Sequence, residues 1–174
     1  MEHFEKTLKV ENIYTGKIVT LNIETVLLPN ENKTKREIVK HPGAVAILPI
    51  TEEGEVVLVK QFRKALNSEL LEIPAGKLEK DENPQECALR ELQEEIGYTA
   101  NRMTYIGTFY TSPGFTNEKV YIYKAEELLP SKLEKDNDEF ITVIKYRKEE
   151  VLQMLEEGDI FDAKTGLAIS LGLK

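Results

Sequence analysis

Three carboxylates, Glu91, Glu94 and Glu95, stand at i, i+3 and i+4 in Arg-Glu-Leu-Gln-Glu-Glu-Ile-Gly, residues 90–97. A helix would gather them on one side, where like charges repel unless a cation neutralises them. Hard divalent cations take oxygen ligands, and Mg²⁺ combines a few carboxylates with phosphate oxygens and water. The chemistry open to this trio is therefore that of a bound divalent cation. Ala75, held between Pro74 and Gly76, could add a main-chain carbonyl. An isolated Glu-x-x-Glu-Glu is more often a solvated acidic face, with Arg90 paired to Glu86 one turn away. What sets this stretch apart is Gly76, Glu82, Arg90 and Gly97, placed at fixed separations around the trio.

A helix from Asn83 is needed to present these residues. Asn83 suits the N-cap, Pro84 the first helical position, and Glu86 a capping box. Ala88, Leu89, Leu92 and Ile96 form the apolar stripe that would seat it, and Gly97 closes it as a left-handed cap. Ahead of it the chain reads as strands. Residues 4–28 hold two alternating stretches around the turn Tyr14–Lys17, and 34–40 follow a turn at Pro29–Asn32. Gly43–Ile50 and Val56–Phe62 are near-continuous apolar runs, suited to strands buried on both faces. Leu70–Ile73 runs into the Pro74-Ala75-Gly76 bend. Later strands are expected at about 101–111, 117–125 and 139–147, and helices at 148–157 and 162–172. Strands early and helices late argue for an α+β fold. The first 40 residues read as an antiparallel β-strand subdomain, with 41–174 as the main domain.

The 174 residues suit a domain able to bury a core, and 31% charged against 41% apolar is a globular balance. A net charge of −8 without any basic stripe argues against a nucleic-acid polymer as partner. Cys87 is the only cysteine, so no internal disulfide forms and a reducing, cytoplasmic setting fits. The first residues lack the pattern of a signal peptide, and no apolar run is long enough to span a bilayer. Neither a Walker-type glycine loop nor a dinucleotide-fold fingerprint is present. Cys87, His3 and His41 offer no nucleophile–base pair.

Gly76, Glu82, Arg90, Glu91, Leu92, Glu94, Glu95 and Gly97 fall in register with the signature box of the Nudix hydrolases, and the chain resembles that family. Only Tyr98 departs, where a smaller aliphatic residue is usual. His41–Val45, Lys60–Arg63 and Leu71–Lys77 resemble the run-up to the box in ADP-ribose pyrophosphatases. That subgroup carries a proline 16 residues beyond the last glycine of the box, and Pro113 stands 16 residues after Gly97. The resemblance implies a Nudix-type α/β/α sandwich with a mixed central sheet. It implies metal ligation by Glu91, Glu95 and the Ala75 carbonyl, with Glu94 helping to hold a second ion. Arg90 would orient the glutamates and Glu82 would be structural.

The same resemblance gives the Ser112-Pro113-Gly114 backbone and Glu118 to the substrate site. Arg63 is the basic residue expected to bind phosphate oxygens, since a guanidinium does so bidentately. Arg36, in Lys33-Thr34-Lys35-Arg36, belongs either to a solvated basic turn or, as the resemblance implies, to a segment that reaches the substrate from this chain or a partner subunit. In the subgroup the general base often comes from an acidic loop after the box, here Glu134–Glu139. Register favours Asp136 as base and Asp138 as metal ligand, with Glu139 open to either role. The implied reaction is hydrolysis of ADP-ribose to AMP and ribose 5-phosphate with Mg²⁺, Mn²⁺ being a possible substitute. The implied assembly is a homodimer through the N-terminal strands. A nucleotide sugar or dinucleotide as substrate, or a non-catalytic ADP-ribose-binding module, are the competing readings.

Overall fold

Period-two burial along two apolar strands sets the layering of the larger part of the molecule. The computed structural model describes residues 3–133 and 140–174. Within β4 (Ala44–Pro49), Val45 and Ile47 face one apolar cluster while Ala46 and Leu48 face another. The strand β5 (Glu55–Arg63) does the same, with Val57 and Val59 on one side and Val56 and Leu58 on the other. A strand buried on both faces must be apolar throughout, which is why neither run alternates in the sequence.

Contacts divide the chain into two compact units, the residues up to Gly43 with Tyr110–Lys119, and the remainder. In the larger unit, β4 is paired antiparallel with β7 (Ala75–Lys77) and parallel with β9 (Lys119–Pro130). With β8 (Tyr98–Tyr110) they form a mixed sheet in the order β7-β4-β9-β8. Strand β5 is the middle of a separate antiparallel sheet, between β6 (Ser68–Glu72) and β10 (Ile141–Arg147). Helix α1 (Pro84–Glu91) brings Cys87 and Ala88 to the Val45–Ile47 cluster. Helices α2 (Lys148–Glu157) and α3 (Ala163–Gly172) bring Val151, Ala168 and Ile169 to the Ala46–Leu48 cluster. The result is α+β with a mixed sheet, helices covering opposite faces.

The smaller unit is built on an antiparallel sheet in the order β1-β2-β3, from Lys6–Thr15, Thr20–Leu27 and Lys33–Lys40. Its β1–β2 register shifts twice, at Thr7/Lys9 and Asn12/Tyr14. Irregularities of this kind twist a strand away from regular pairing. Val39 also bridges Thr116 in parallel, and its N–H reaches Phe115 O at 2.8 Å. The 112–116 turn is thereby tied to β3. No helix among the described residues is long and apolar enough to cross a membrane.

Candidate active site

Asn83 starts α1 as expected. Its Oδ1 accepts from Gln85 N at 2.8 Å, and Pro84 occupies the first turn, where no N–H is needed. The helix then widens. Leu92–Ile96 is π-helical, and Gly97 N–H returns to Leu92 O. A π turn fits one more residue than an α turn and is frequent at functional sites. Glu94 and Glu95 both ride on it, so the trio is not carried by one regular helix. Gly97 stops the turn with φ 75°, a left-handed conformation that suits glycine. Two carbonyls near this helix end are taken up from outside, Gly97 O by Ser131 N at 3.0 Å and Gln93 O by Leu133 N at 3.3 Å. Gln93 Nε2 also donates to Ser131 Oγ at 2.7 Å. The residues leading into 134–139 are therefore fastened to the turn that bears Glu94 and Glu95.

Arg90 organises the carboxylates. Its Nη1 donates to Glu91 Oε1 and to Glu94 Oε2, both at 2.8 Å. Nε and Nη2 grip Glu82 at 2.9 and 3.1 Å. The expected alternative, a pairing with Glu86, is not what Arg90 makes. The hydrogen bonds from Arg90 hold the Glu82 carboxyl down at about 2, well below the usual carboxylate range. Glu82 also accepts from Glu79 N at 2.8 Å, which fixes the loop ahead of α1 and fits a structural role.

Ala75 lies in the short edge strand β7 rather than in a free bend, opposite Ala46. Its N–H donates to Glu95 Oε2 at 3.0 Å. Gly76, opposite Val45, has no space for a side chain, because a Cβ there would sit 1.9 Å from the Glu91 carboxyl carbon. Glu91 and Glu95 are only 7% and 2% exposed. Buried carboxylates are costly without compensation, and one guanidinium here answers Glu82, Glu91 and Glu94 together. Carboxylate oxygens gathered in this way fit a hard divalent cation. Among the described residues, no three acidic, histidine or cysteine side chains form a metal cage by themselves. Main-chain oxygen, substrate phosphate and water would complete the shell, as is usual for Mg²⁺.

Arg63, the last residue of β5, is held in an ion pair. Its Nε and Nη2 make a fork on Glu72 at 2.7 and 2.8 Å. Arg36 makes a similar fork on Glu5, at 3.0 and 2.7 Å. In the smaller unit, Ser112 O accepts from both Phe115 N and Thr116 N at 3.1 Å, so Ser112-Pro113-Gly114 forms a closed turn. Glu118 accepts from Thr111 Oγ1 at 2.8 Å and lies 3.6 Å from His41 Nδ1. His41 N in turn donates to Asn117 Oδ1 at 2.8 Å, which makes His41 an anchor at the end of β3. Glu91, Glu94, Glu95, Ala75 and Arg63 thus belong to the larger unit, whereas Arg36, Ser112, Pro113, Gly114 and Glu118 belong to the smaller. Asp136, Asp138 and Glu139 lie outside the described residues. Burial pushes the Cys87 thiol up, which suits an inert packing residue.

Glu72, which Arg63 grips, is joined by Lys164 with Asp162, and Thr165 binds the next residue, Ile73; none of these four stands out as a site residue in the sequence. The available signal was Glu72 inside the apolar run Leu70–Ile73, a charge that needs a partner when buried.

The NUDIX domain family model matches residues 40–166. The chain belongs to the Nudix family. It is 54% identical over 167 residues to the ADP-ribose pyrophosphatase of Bacillus subtilis (strain 168), spanning 95% of this chain and 90% of that one. It is 48% identical over 169 residues to the methanol dehydrogenase activator of Bacillus methanolicus, with the same coverage of 95% and 90%. A solved structure of an ADP compounds hydrolase superposes with a TM-score of 0.87 at 25% identity, covering 97% of this chain and 92% of its own.

Proposed function

We propose that this protein hydrolyses the diphosphate of ADP-ribose, releasing AMP and ribose 5-phosphate, with Mg²⁺ as the cation. The observation that carries the reading is the seating of Glu91 and Glu95 against Gly76 and Ala75, in a chain 54% identical to an ADP-ribose pyrophosphatase. A divalent cation held by these carboxylates would supply charge neutralisation on the diphosphate and would acidify the attacking water.

The chain's own residues do the rest. Glu91, Glu95 and the Ala75 carbonyl would hold the cation, and Glu94 would contribute to a second position. Arg90 keeps the carboxylates ordered through its bonds to Glu82, Glu91 and Glu94. Arg63 and Arg36 present guanidinium groups to phosphate oxygens. Ser112, Pro113, Gly114 and Glu118 shape the substrate site. Asp136, or Glu139 in its place, takes the proton from the water, with Asp138 as a further metal ligand. The hydrogen bonds of Ser131 and Leu133 fasten the residues just before 134–139 to the turn that bears Glu94 and Glu95, which supports this assignment.

We further infer a homodimer through an N-terminal subdomain of about 40 residues. Phe4, Leu8, Val10, Ile13 and Tyr14 on and beside the edge strand β1 are exposed, and Ile18 in the turn beyond it is too. Solution mass by light scattering checks this. Cys87, buried and the sole cysteine, suits a cytoplasmic setting.

The function is tested by kcat/KM across ADP-ribose, GDP-mannose and diadenosine polyphosphates with Mg²⁺ and Mn²⁺, products being identified. ADP-ribose should lead. A rival ahead by more than about tenfold would replace it as substrate. Tight ADP-ribose binding with no AMP released would instead establish a non-catalytic module.

A further inference from the structure

A buried carboxylate shared by two cations sits beside the metal-site strand, and one of those cations has no assigned role. Glu72, the last residue of β6, is 1% exposed. Arg63 from β5 forks onto both its oxygens, at 2.7 Å for Oε1 and 2.8 Å for Oε2. Lys164, from the first turn of α3, bonds the same Oε2 with its Nζ. Lys164 also lies 2.9 Å from Asp162 Oδ1. Asp162 in turn caps α3 by accepting Thr165 N at 3.0 Å, and Thr165 Oγ1 accepts the N–H of Ile73 at 2.9 Å. The first turn of α3 therefore grips two consecutive residues, Glu72 and Ile73, immediately before Pro74 and Ala75.

The charges decide what this arrangement can do. Burial alone would push the Glu72 carboxyl up, yet Arg63 and Lys164 together hold it below its ordinary value, so it is ionised. Arg63 and Lys164 carry two positive charges against the two negative charges of Glu72 and Asp162, so without Lys164 the acidic pair would outweigh the guanidinium and cancel its attraction for phosphate. Glu72 occupies two of the five N–H donors of Arg63. The side chain of Arg63 is 40% exposed, and the charges of Glu95 and Asp162 also act on it. Arg63 thus stands within the electrostatic reach of Glu95.

We propose that Lys164 is a positioning residue for Arg63, neutralising the buried Glu72 so that the guanidinium keeps its orientation while its positive field remains available to a substrate phosphate. This rests on the reading of Arg63 as a phosphate-binding residue in a diphosphate hydrolase. Lys164 touches Glu72 and Asp162, and acts on substrate only through Arg63. Because Arg63 would bind the phosphate in ground state and transition state alike, the loss of Lys164 falls on KM rather than kcat.

The test is the steady-state kinetics of Lys164→Gln and Lys164→Arg, each alone and combined with Arg63→Gln. Glutamine still donates to Glu72 but brings no charge, so a role in packing or hydrogen bonding alone survives it. Lys164→Gln should raise KM for ADP-ribose about tenfold with kcat changed less than about twofold. Lys164→Arg should return KM to within about threefold of wild type. In the Arg63→Gln background, Lys164→Gln should add less than about twofold, because the two act as one unit. An unchanged KM in folded Lys164→Gln, or an equal rise in KM with Arg63 already replaced, overturns the proposal. Should Lys164→Gln fail to fold, Lys164→Arg with KM raised as far as in Arg63→Gln also overturns it. Wild type that releases no AMP from ADP-ribose sinks the functional reading instead, and the series is then read on the nucleoside diphosphate compound it does cleave.

Discussion

The Ala75 N–H donates to Glu95 Oε2 at 3.0 Å, joining the edge strand of the mixed sheet to the π turn after α1. One oxygen of Glu95 is thereby oriented by the same residue whose carbonyl is assigned to the cation. Strand β7 is fixed in turn by antiparallel pairing to β4, so the geometry of the proposed metal site descends from the core strand of the sheet.

Replacing Glu94 or Glu95 by Gln keeps shape and removes charge. Activity should fall by about 100-fold or more while the fold is kept. Initial rates beside circular dichroism check this. Near-normal turnover in either variant would remove that carboxylate from the chemistry.

Gly76→Ala places a methyl group where the Glu91 carboxyl now sits, 1.9 Å away. Glu91 should yield before the sheet does, because the obstructing atoms are the end of a side chain. Loss of most metal-dependent activity is expected, with a stability cost of only about 1–3 kcal/mol. Thermal melts and metal titrations of the same preparation separate the two effects.

Glu82 links stability to pH. Its folded pKa, about 2, is depressed from 4.5 by the hydrogen bonds of Arg90, so its contribution is fully present above 4.5. That contribution is lost as pH falls from 4.5 towards 2. Glu82→Gln should flatten this part of the acid limb when unfolding midpoints are plotted against pH. An unaltered acid limb would show that the Arg90 pair is not coupled to folding.

Thr165→Val leaves the buried Ile73 N–H without its acceptor at 2.9 Å. A loss of about 1–3 kcal/mol is expected in denaturant unfolding. An effect within experimental error would mean that the first turn of α3 does not secure the chain leading into β7.

Local signals carried much of the fold into the sequence. Asn83-Pro84 marks a helix start and Gly97 a left-handed stop wherever they fold, because those preferences belong to the backbone of the residues themselves. The apolar runs of β4 and β5 announced burial on both faces. They could not announce that the two strands lie in different sheets, because partner choice depends on β9, β6 and β10 and not on either run. The π turn was hidden too, since Leu92–Ile96 has an ordinary helical pattern and the widening is a property of its surroundings. At the site, Glu91, Glu94, Glu95 and Arg90 were legible because they lie within six residues of one another. Glu72 with Lys164, and Ile73 with Thr165, were not, since 92 residues separate each pair.

The central claim is that the carboxylates around Ala75 and Gly76 hold a cation that makes the diphosphate of ADP-ribose cleavable. Its most direct test is product analysis of ADP-ribose incubated with the metal-stripped protein, before and after Mg²⁺ is added. AMP and ribose 5-phosphate should appear in equal amounts only with Mg²⁺ present. Equal rates with and without the metal, or intact ADP-ribose throughout, would contradict the account.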